Sequence, residues 1–551
     1  MLTKYKIILS TIALLFPFLA FSQNYDQQLS SNSNVNDSEG EAQIVISPID
    51  SSEMIVGYME VTPNTLNFKI QYSSDGGNTW TPSAFDPKTI ITTDYPTYSP
   101  IGGGDIVFAY GINGDVYCSW IYLLADMNLP SPLDSCIWTS YWAKSTDNGQ
   151  SFTYSNNPDR FFARGKLSVN GPITTYDYED GIADRQWMAV DHSGGPHHGN
   201  LYVGYINYPF NTQNTGLKLK RKTSLQSGFG PENLVYSGNG QLTNLLVDQN
   251  GVIHYTFADI LQDKIYHISS SDGGQSFTNP HLIFDAMKVF PRTNFKINNR
   301  ENAAPSLAID DQNHLHLVWS DYPPNSNLPK SYYSRSVDNG VTWSTALELE
   351  TLFSDAVYIP VVSAYGNKVT ISGNIVNSQK ISNYKTVTSL NNGVNFNPPR
   401  SITTGTIDFD STGPGAFVGD YSSSARLDCN IFSMWTHCDH NGCKQYISRY
   451  NDCLPTQITE LTPLSSSFYL NQMYPNPVQD ILNLNIQSNK TDQLRIEIYD
   501  LSGKLLYESS TSIIDGTNEI NINLDHISNG LFQLKLTNQD HIFITRNILK
   551  N

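Results

Sequence analysis

Positive charge is scarce in this 551-residue chain: 33 Lys and Arg face 51 Asp and Glu, a formal net charge of −18. That balance argues against nucleic acid or an anionic membrane surface as the main partner. It suits a soluble protein outside the cell. Charged residues of both signs reach only 15%. Beyond the first residues no apolar run is long enough to span a membrane. No Cys-x-x-Cys knuckle occurs among the six cysteines, so a zinc site is disfavoured. No loop has a recognisable calcium spacing, although the Asp-rich turns leave room for a structural Ca²⁺.

Aromatic, Asn, Ser and Gly residues are plentiful instead, with 32 Tyr, 24 Phe and 37 Gly. This mixture suits many short strands joined by polar turns. The start of the chain has Lys4 and Lys6, an apolar run over 7–21 and Ala20-Phe21-Ser22 before Gln23. It reads as a signal peptide over 1–22. Six cysteines, an even number, fit the oxidising compartment that such a leader implies. Cys118 and Cys136 could pair across one long loop. Cys429, Cys438, Cys443 and Cys453 form a second group of open connectivity. His437, Asp439 and His440 lie among them, but a disulfide is expected there rather than a metal.

Five segments follow one pattern: Ser, any residue, Asp or Asn, any residue, Gly, two residues, an aromatic. They lie at 73–80, 145–152, 270–277, 336–343 and 389–396. Ser and Asp side chains can bond backbone N–H groups of their own turn, and Gly supplies a positive φ. Each segment reads as a hairpin corner stapled by its aromatic. Strand-like runs recur around these corners, as in 304–310, 314–321 and 331–335. Seven such units are expected between 42 and 453. A degenerate corner lies at 224–229, and the seventh unit, 415–450, has no corner. Repetition at this spacing predicts radially arranged four-stranded sheets. Residues 23–41, rich in Ser, Asn and Gln, read as a disordered lead-in. Residues 454–470 read as a linker, and 471–551 as a small separate β domain.

The corner motif resembles the Asp-box (BNR repeat) of sialidase-like β-propellers. The expected fold is therefore all-β, a six- or seven-bladed propeller followed by a small β-sandwich. The end of the chain resembles the C-terminal sorting domain of the type IX secretion system of Bacteroidetes. The matching residues are Tyr474-Pro475-Asn476-Pro477, the run Ile498-Tyr499-Asp500-Leu501-Ser502-Gly503-Lys504, the run Ile527-Ser528-Asn529-Gly530-Leu531-Phe532, and Arg546. That resemblance implies export through the periplasm and across the outer membrane by the type IX machinery, then release or attachment at the cell surface.

In a propeller, ligands bind where the inner strands converge, so candidates are sought beside those strands. The 176–187 segment offers Tyr178, Asp180, Asp184, Arg185 and Trp187. Arg292, Arg300 and Glu301 precede the fifth inner strand. Tyr421 lies in the seventh unit, near Arg426, and His192, His197 and His198 in the third. By resemblance to sialidases, Arg185, Arg300 and Arg292 or Arg426 would clamp a substrate carboxylate. Tyr421 would be the nucleophile, Glu301 its base, and Asp180 or Asp184 the acid. The Arg-Ile-Pro signature of active sialidases does not occur. The expected activity is a sialidase-like glycoside hydrolase on complex or acidic glycans. The alternatives are a polysaccharide lyase on a uronic-acid polymer, with His198 or His197 beside Tyr178 and Arg185, or a non-catalytic glycan-binding propeller.

Overall fold

A computed structural model describes residues 25–550 except 31–36, 63–65, 88–96, 127, 129–135, 154–164, 171–172, 179–181, 209–215, 290–303, 327, 378–380, 404, 410–417, 453–467, 501–503 and 540–542. The expected signal peptide lies outside the described residues. The chain divides into two compact units, Met1–Leu454 and Pro455–Asn551.

The first unit is a ring of seven blades. Each blade's strands run antiparallel in sequence order outward from the axis. The inner strands are Ser38–Ile46, Tyr98–Tyr110, Ile182–Val190, Gly240–Val247, Ser306–Ile309, Ala356–Tyr365 and Ser424–Leu427. Each touches the next, and the last touches the first. Alternating side chains on the two faces of a blade must be covered by its neighbours. Accordingly, each of the seven blade interfaces has its own apolar cluster. Phe68 packs with Phe108 and Trp120 between blades one and two. Leu242 and Ile265 pack with Leu317 and Trp319 between four and five. Ile44 and Tyr58 pack with Phe432 and Met434 where seven meets one. The choice between six and seven blades is thereby settled at seven.

The expectation that 23–41 is a disordered lead-in is corrected for its described residues, 25–30 and 37–41. Tyr25–Gln28 is a strand, paired antiparallel to Gly442–Asn451 as the outer strand of blade seven. Ser38 opens the inner strand of blade one, and residues 38–41 are buried. Composition misled here because the partners of Tyr25 and Gln28, Arg449 and Tyr446, lie more than four hundred residues away. Long-range pairing overrides a polar local sequence.

The five corner segments share one hydrogen-bond pattern. At the first, Ser73 Oγ donates to Asp75 Oδ1 (2.8 Å) and accepts the Gly77 N–H (2.9 Å). Asp75 Oδ1 accepts the N–H groups of Asn78 and Thr79, each at 2.9 Å. Gly77 has φ 80°, which a Cβ would disfavour. The same pairs recur at Ser145–Asp147, Ser270–Asp272, Ser336–Asp338 and Ser389–Asn391. At Asp272 burial opposes ionisation, but the bonds from Ser276, Ser270 and Gln275 together outweigh it and pull the carboxyl down to about 2. Its contribution is therefore present above the ordinary carboxylate pKa and is lost as pH falls through about 2. Asp272→Ala is expected to lower stability by roughly 1–2 kcal/mol at neutral pH, read by denaturant unfolding of the secreted chain. An unchanged midpoint would remove the corner from the list of stabilising features.

Cys438 and Cys443 form a disulfide across the hairpin of blade seven, where they are direct cross-strand partners. Cys429 is also disulfide-bonded, and Cys453 lies outside the described residues. The suggested Cys118–Cys136 pair is corrected: Cys118 is a buried free thiol. It sits opposite Ala143, whereas Cys136 sits opposite Ala125 at the far end of the same ladder. Seven residues of strand separate them, ~23 Å, far beyond disulfide reach.

The second unit is a sandwich of two sheets over one apolar core. One sheet holds Phe468–Tyr474, Ile481–Ser488 and Gly516–Asn523; the other holds Leu505–Ile513, Asp492–Tyr499, Gly530–Asn538 and Phe543–Lys550. Leu482, Leu484 and Ile486 alternate inward against Leu494, Ile496 and Ile498. Its first strand begins at Phe468, inside the segment read as linker.

Candidate functional site

The seven inner strands surround an axial cavity of about 420 Å³. Apolar side chains form much of its wall, including Ile44, Phe108, Met188, Leu246 and Val361. Arg185, Trp187 and Tyr421 also line it.

A repeated backbone device positions the polar groups. The inner strand carries a bulge in five blades, and in each the extra residue has a positive φ without being glycine. These are Glu41 (51°), Asp105 (50°), Arg185 (53°), Leu242 (52°) and Ile359 (49°). The register shifts fall around the same residues. A bulge bends the strand and re-aims one side chain. Holding a residue with a Cβ there costs of order 1 kcal/mol, so the surrounding fold must enforce it. Three of the five are charged, and they come from three consecutive blades.

Glu41, Asp105 and Arg185 are 2%, 8% and 5% exposed. Blade seven adds Asp420 and Tyr421, also buried. Glu41 Oε1 accepts the Asp420 N–H at 3.0 Å. The Arg185 guanidinium lies 4.3 Å from the centre of the Tyr421 ring, a cation–π contact in a dry setting. Trp187 meets the same ring edge-on at 5.8 Å. The backbone is fixed by Thr243 Oγ1 donating to Arg185 O (3.1 Å) and Gln186 Nε2 donating to Asp105 O (2.5 Å). Among the described residues, Arg185 Nε and Nη2 and Tyr421 Oη have no hydrogen-bond partner. Buried polar atoms without partners are costly and uncommon.

Charge and burial oppose each other here. Burial would lower the Arg185 pKa, but Tyr421, Asp420, Asp105 and Glu41 more than offset it and hold the guanidinium charged. Burial pushes the Tyr421 phenol far above its ordinary value, and Asp105 and Glu41 push it further. Tyr421 is therefore a neutral phenol at rest.

Of the residues expected from the sequence, Arg185, Trp187 and Tyr421 come together. Asp184 stands beside them, and its Oδ1 accepts the Arg185 N–H at 3.0 Å. Tyr178 ends the strand Ile173–Tyr178, the outer edge of blade two rather than a loop. Asp180, Arg292, Arg300 and Glu301 lie outside the described residues. His198 is not at the site. It sits in the turn after the inner strand, where its Nδ1 accepts the Gly194 N–H (3.1 Å). Arg185 stands near that strand's start, five residues before its end at Val190, ~17 Å at strand spacing. His197 packs against Gly273 in the corner of the next blade. His192 Nε2 lies 3.0 Å from Tyr110 O. The expected approach of His197 or His198 to Arg185 is thus corrected. Arg426 also lines the cavity, but its bonds are not to the Arg185 cluster. It bonds Thr370 Oγ1 and, at 2.8 Å, Asp452 Oδ1.

Glu41, Asp105 and Asp420 were not read as site residues from the sequence. A signal existed: Gly40-Glu41, Gly104-Asp105 and Gly419-Asp420 each put an acid directly after glycine at the start of a unit. Those glycines allow close approach. A Cβ on Gly40 would lie 2.4 Å from Val418 O, and one on Gly104 2.8 Å from Met59 Cε. No group of three or more His, Cys, Asp or Glu among the described residues is placed to hold a metal.

No curated protein matches the sequence. Similar solved structures include a protein of unknown function from Dyadobacter fermentans, at 12% identity and TM-score 0.41, covering 77% of this chain and 97% of that one. The polysaccharide lyase Uly1 is similar at 9% identity and TM-score 0.42, with 75% and 90% covered. The NanB sialidase of Streptococcus pneumoniae is similar at 13% identity and TM-score 0.37, with 77% and 70% covered. No described helix is long and apolar enough to cross a membrane. Residues 472–551 match the secretion system C-terminal sorting domain: the chain ends in a type IX sorting domain and is exported, to be secreted or held at the cell surface.

Proposed function

We propose that the exported propeller is a glycan-active enzyme, a sialidase-like glycoside hydrolase of complex or acidic glycans, with its substrate seat at the Arg185–Tyr421 end of the axial cavity. The observation that carries this reading is the pair itself. Two buried polar side chains face a cavity with hydrogen-bonding atoms that no described residue engages. Sugars offer hydroxyls to such atoms and C–H faces to aromatic rings such as Trp187.

In this reading Tyr421 Oη attacks the anomeric carbon while its proton passes to Asp105 or Glu41, the carboxylates that act on the phenol. The departing oxygen takes a proton from a second acid, for which Asp184 and Asp180 are the candidates. Water then releases the sugar from the tyrosine. The role first given to Glu301 thereby passes to Asp105 or Glu41. The five corner motifs are read as Asp-boxes, and the source as a member of the Bacteroidetes.

A second reading, a non-catalytic glycan-binding propeller, is favoured by one observation: Tyr421 Oη has no described base within hydrogen-bond reach. Mass spectrometry of products from the secreted chain, incubated with a panel of oligosaccharides, separates the two. A released sugar carrying one added water, absent with Tyr421→Phe, supports the hydrolase. Binding without product supports the second reading, and unsaturated fragments would overturn both in favour of a lyase.

A further inference from the structure

Resting on the glycan reading above, we infer that Asn244 is a specificity-determining residue of the seat, whose side-chain carbonyl accepts a hydroxyl of the sugar lying against Trp187. Asn244 is 7% exposed and lines the axial cavity. Among the described residues, its buried Oδ1 has no hydrogen-bond partner. Its direct ladder partner is Thr256, whose hydroxyl is of the right kind to donate. That hydroxyl is buried without a partner too, so the blade itself does not satisfy the amide. An acceptor buried and unpaired costs about 1–3 kcal/mol, which a ligand entering the cavity would relieve.

The bulges place this amide beside the rest of the seat. The first paired residue after the bulge is Gln43 in blade one, Val107 in two, Trp187 in three, Asn244 in four and Val361 in six. Asn244 and Trp187 thus hold equivalent positions of adjacent blades, an amide next to an aromatic ring. The bond from Thr243 Oγ1 to Arg185 O (3.1 Å) ties the Asn244 strand to the Arg185 strand. Gln43 shows what a structural amide does at this position. Its Oε1 accepts the Phe108 N–H of the next blade at 2.6 Å. Asn244, one methylene shorter, makes no such bond through its carbonyl. Arg185, Trp187, Asn244 and Tyr421 all line the one cavity. The free Nε and Nη2 of Arg185 only donate, and Asn244 Oδ1 only accepts. Hydroxyls do both, so a sugar stacked on Trp187 answers both sides of the seat.

The test compares the full secreted chain with Asn244→Leu, which keeps the side chain's size without its polar atoms. The probes are sialyllactose, oligogalacturonides, chitooligosaccharides and cello-oligosaccharides, with binding read by calorimetry. Whichever set the parent binds, the variant should bind about 10- to 100-fold more weakly, because a sugar hydroxyl loses its acceptor. Its denaturant midpoint should hold or rise, since the change removes an unpaired buried oxygen. A structural amide predicts the reverse, a lower midpoint with unaltered binding. That result would overturn the inference and leave the glycan reading standing. Should Asn244→Leu fail to fold, or lose stability and binding together, Asn244→Ala decides, because it only widens an existing cavity. One monodeoxy analogue of the bound sugar should bind the parent more weakly than the sugar itself does, whereas Asn244→Ala should bind the two alike. If the parent and Asn244→Ala discriminate equally against every deoxy analogue, the inference falls. If the parent neither binds nor cleaves any of the four sets, the glycan reading falls and the inference with it.

Discussion

Replacing Arg185 by Met is expected to cost the propeller about 3–5 kcal/mol at neutral pH, the usual penalty for removing one partner of a buried charge group. Met keeps much of the side chain's length and can still rest on the Tyr421 ring. What it removes is the positive charge that Glu41, Asp105 and Asp420 act on, while those acids stay buried. The penalty is that of keeping carboxylates in a low-dielectric setting after the positive charge beside them has gone. Denaturant unfolding of the secreted chain at neutral pH measures it. Arg185→Lys is the control, because it restores charge without the planar stack and should recover most of the loss. A Met variant as stable as the parent at pH 7 would show that the acids are neutralised by other means, and the role given to Arg185 would fall.

The ring and its corners were legible because their causes are local. A Ser, an Asp and a Gly within five residues suffice to close a corner, as Ser73, Asp75 and Gly77 do. The cavity residues Arg185, Trp187 and Tyr421 were legible because they sit at unit starts, where a propeller points towards its axis. Glu41 was hidden by its polar surroundings, and its burial depends on Asp420 at the far end of the chain. Asp105 was hidden because an alternating strand pattern does not show where a bulge turns a residue inward. Arg426 lies five residues beyond Tyr421, yet its side chain goes to Asp452 instead. Proximity in sequence could not separate those two destinations.

Removing residues 23–30 is expected to open the ring. Tyr25–Gln28 supplies the outer strand of the last blade, so the first and last parts of the chain share one sheet. The direct ladder between Ser38–Ile46 and Gly442–Asn451 is a single pair, Ser38 with Cys443. Around it, the N-terminal strand ties both sides. Gln71 Nε2 of blade one donates to Leu29 O (2.7 Å), and Tyr446 Oη of blade seven donates to Gln28 Oε1 (3.0 Å). Leu29 is buried in the cluster where blades seven and one meet. Without the strand, Gly442–Asn451 becomes a bare edge. The truncated chain should lose roughly 3 kcal/mol or more, counting Leu29 burial and the broken ladder. It should also be cleaved faster by proteases near blades one and seven, because the seam opens before the rest. A synthetic peptide of residues 23–31, added in excess, should restore protection by adding the strand back. The same dependence bears on maturation. The expected leader ends at Ser22, and the closing strand begins at Tyr25, so leader removal and ring closure meet within three residues. If truncation left stability and protease resistance unchanged, the apolar cluster between blades seven and one would be sufficient to close the ring by itself.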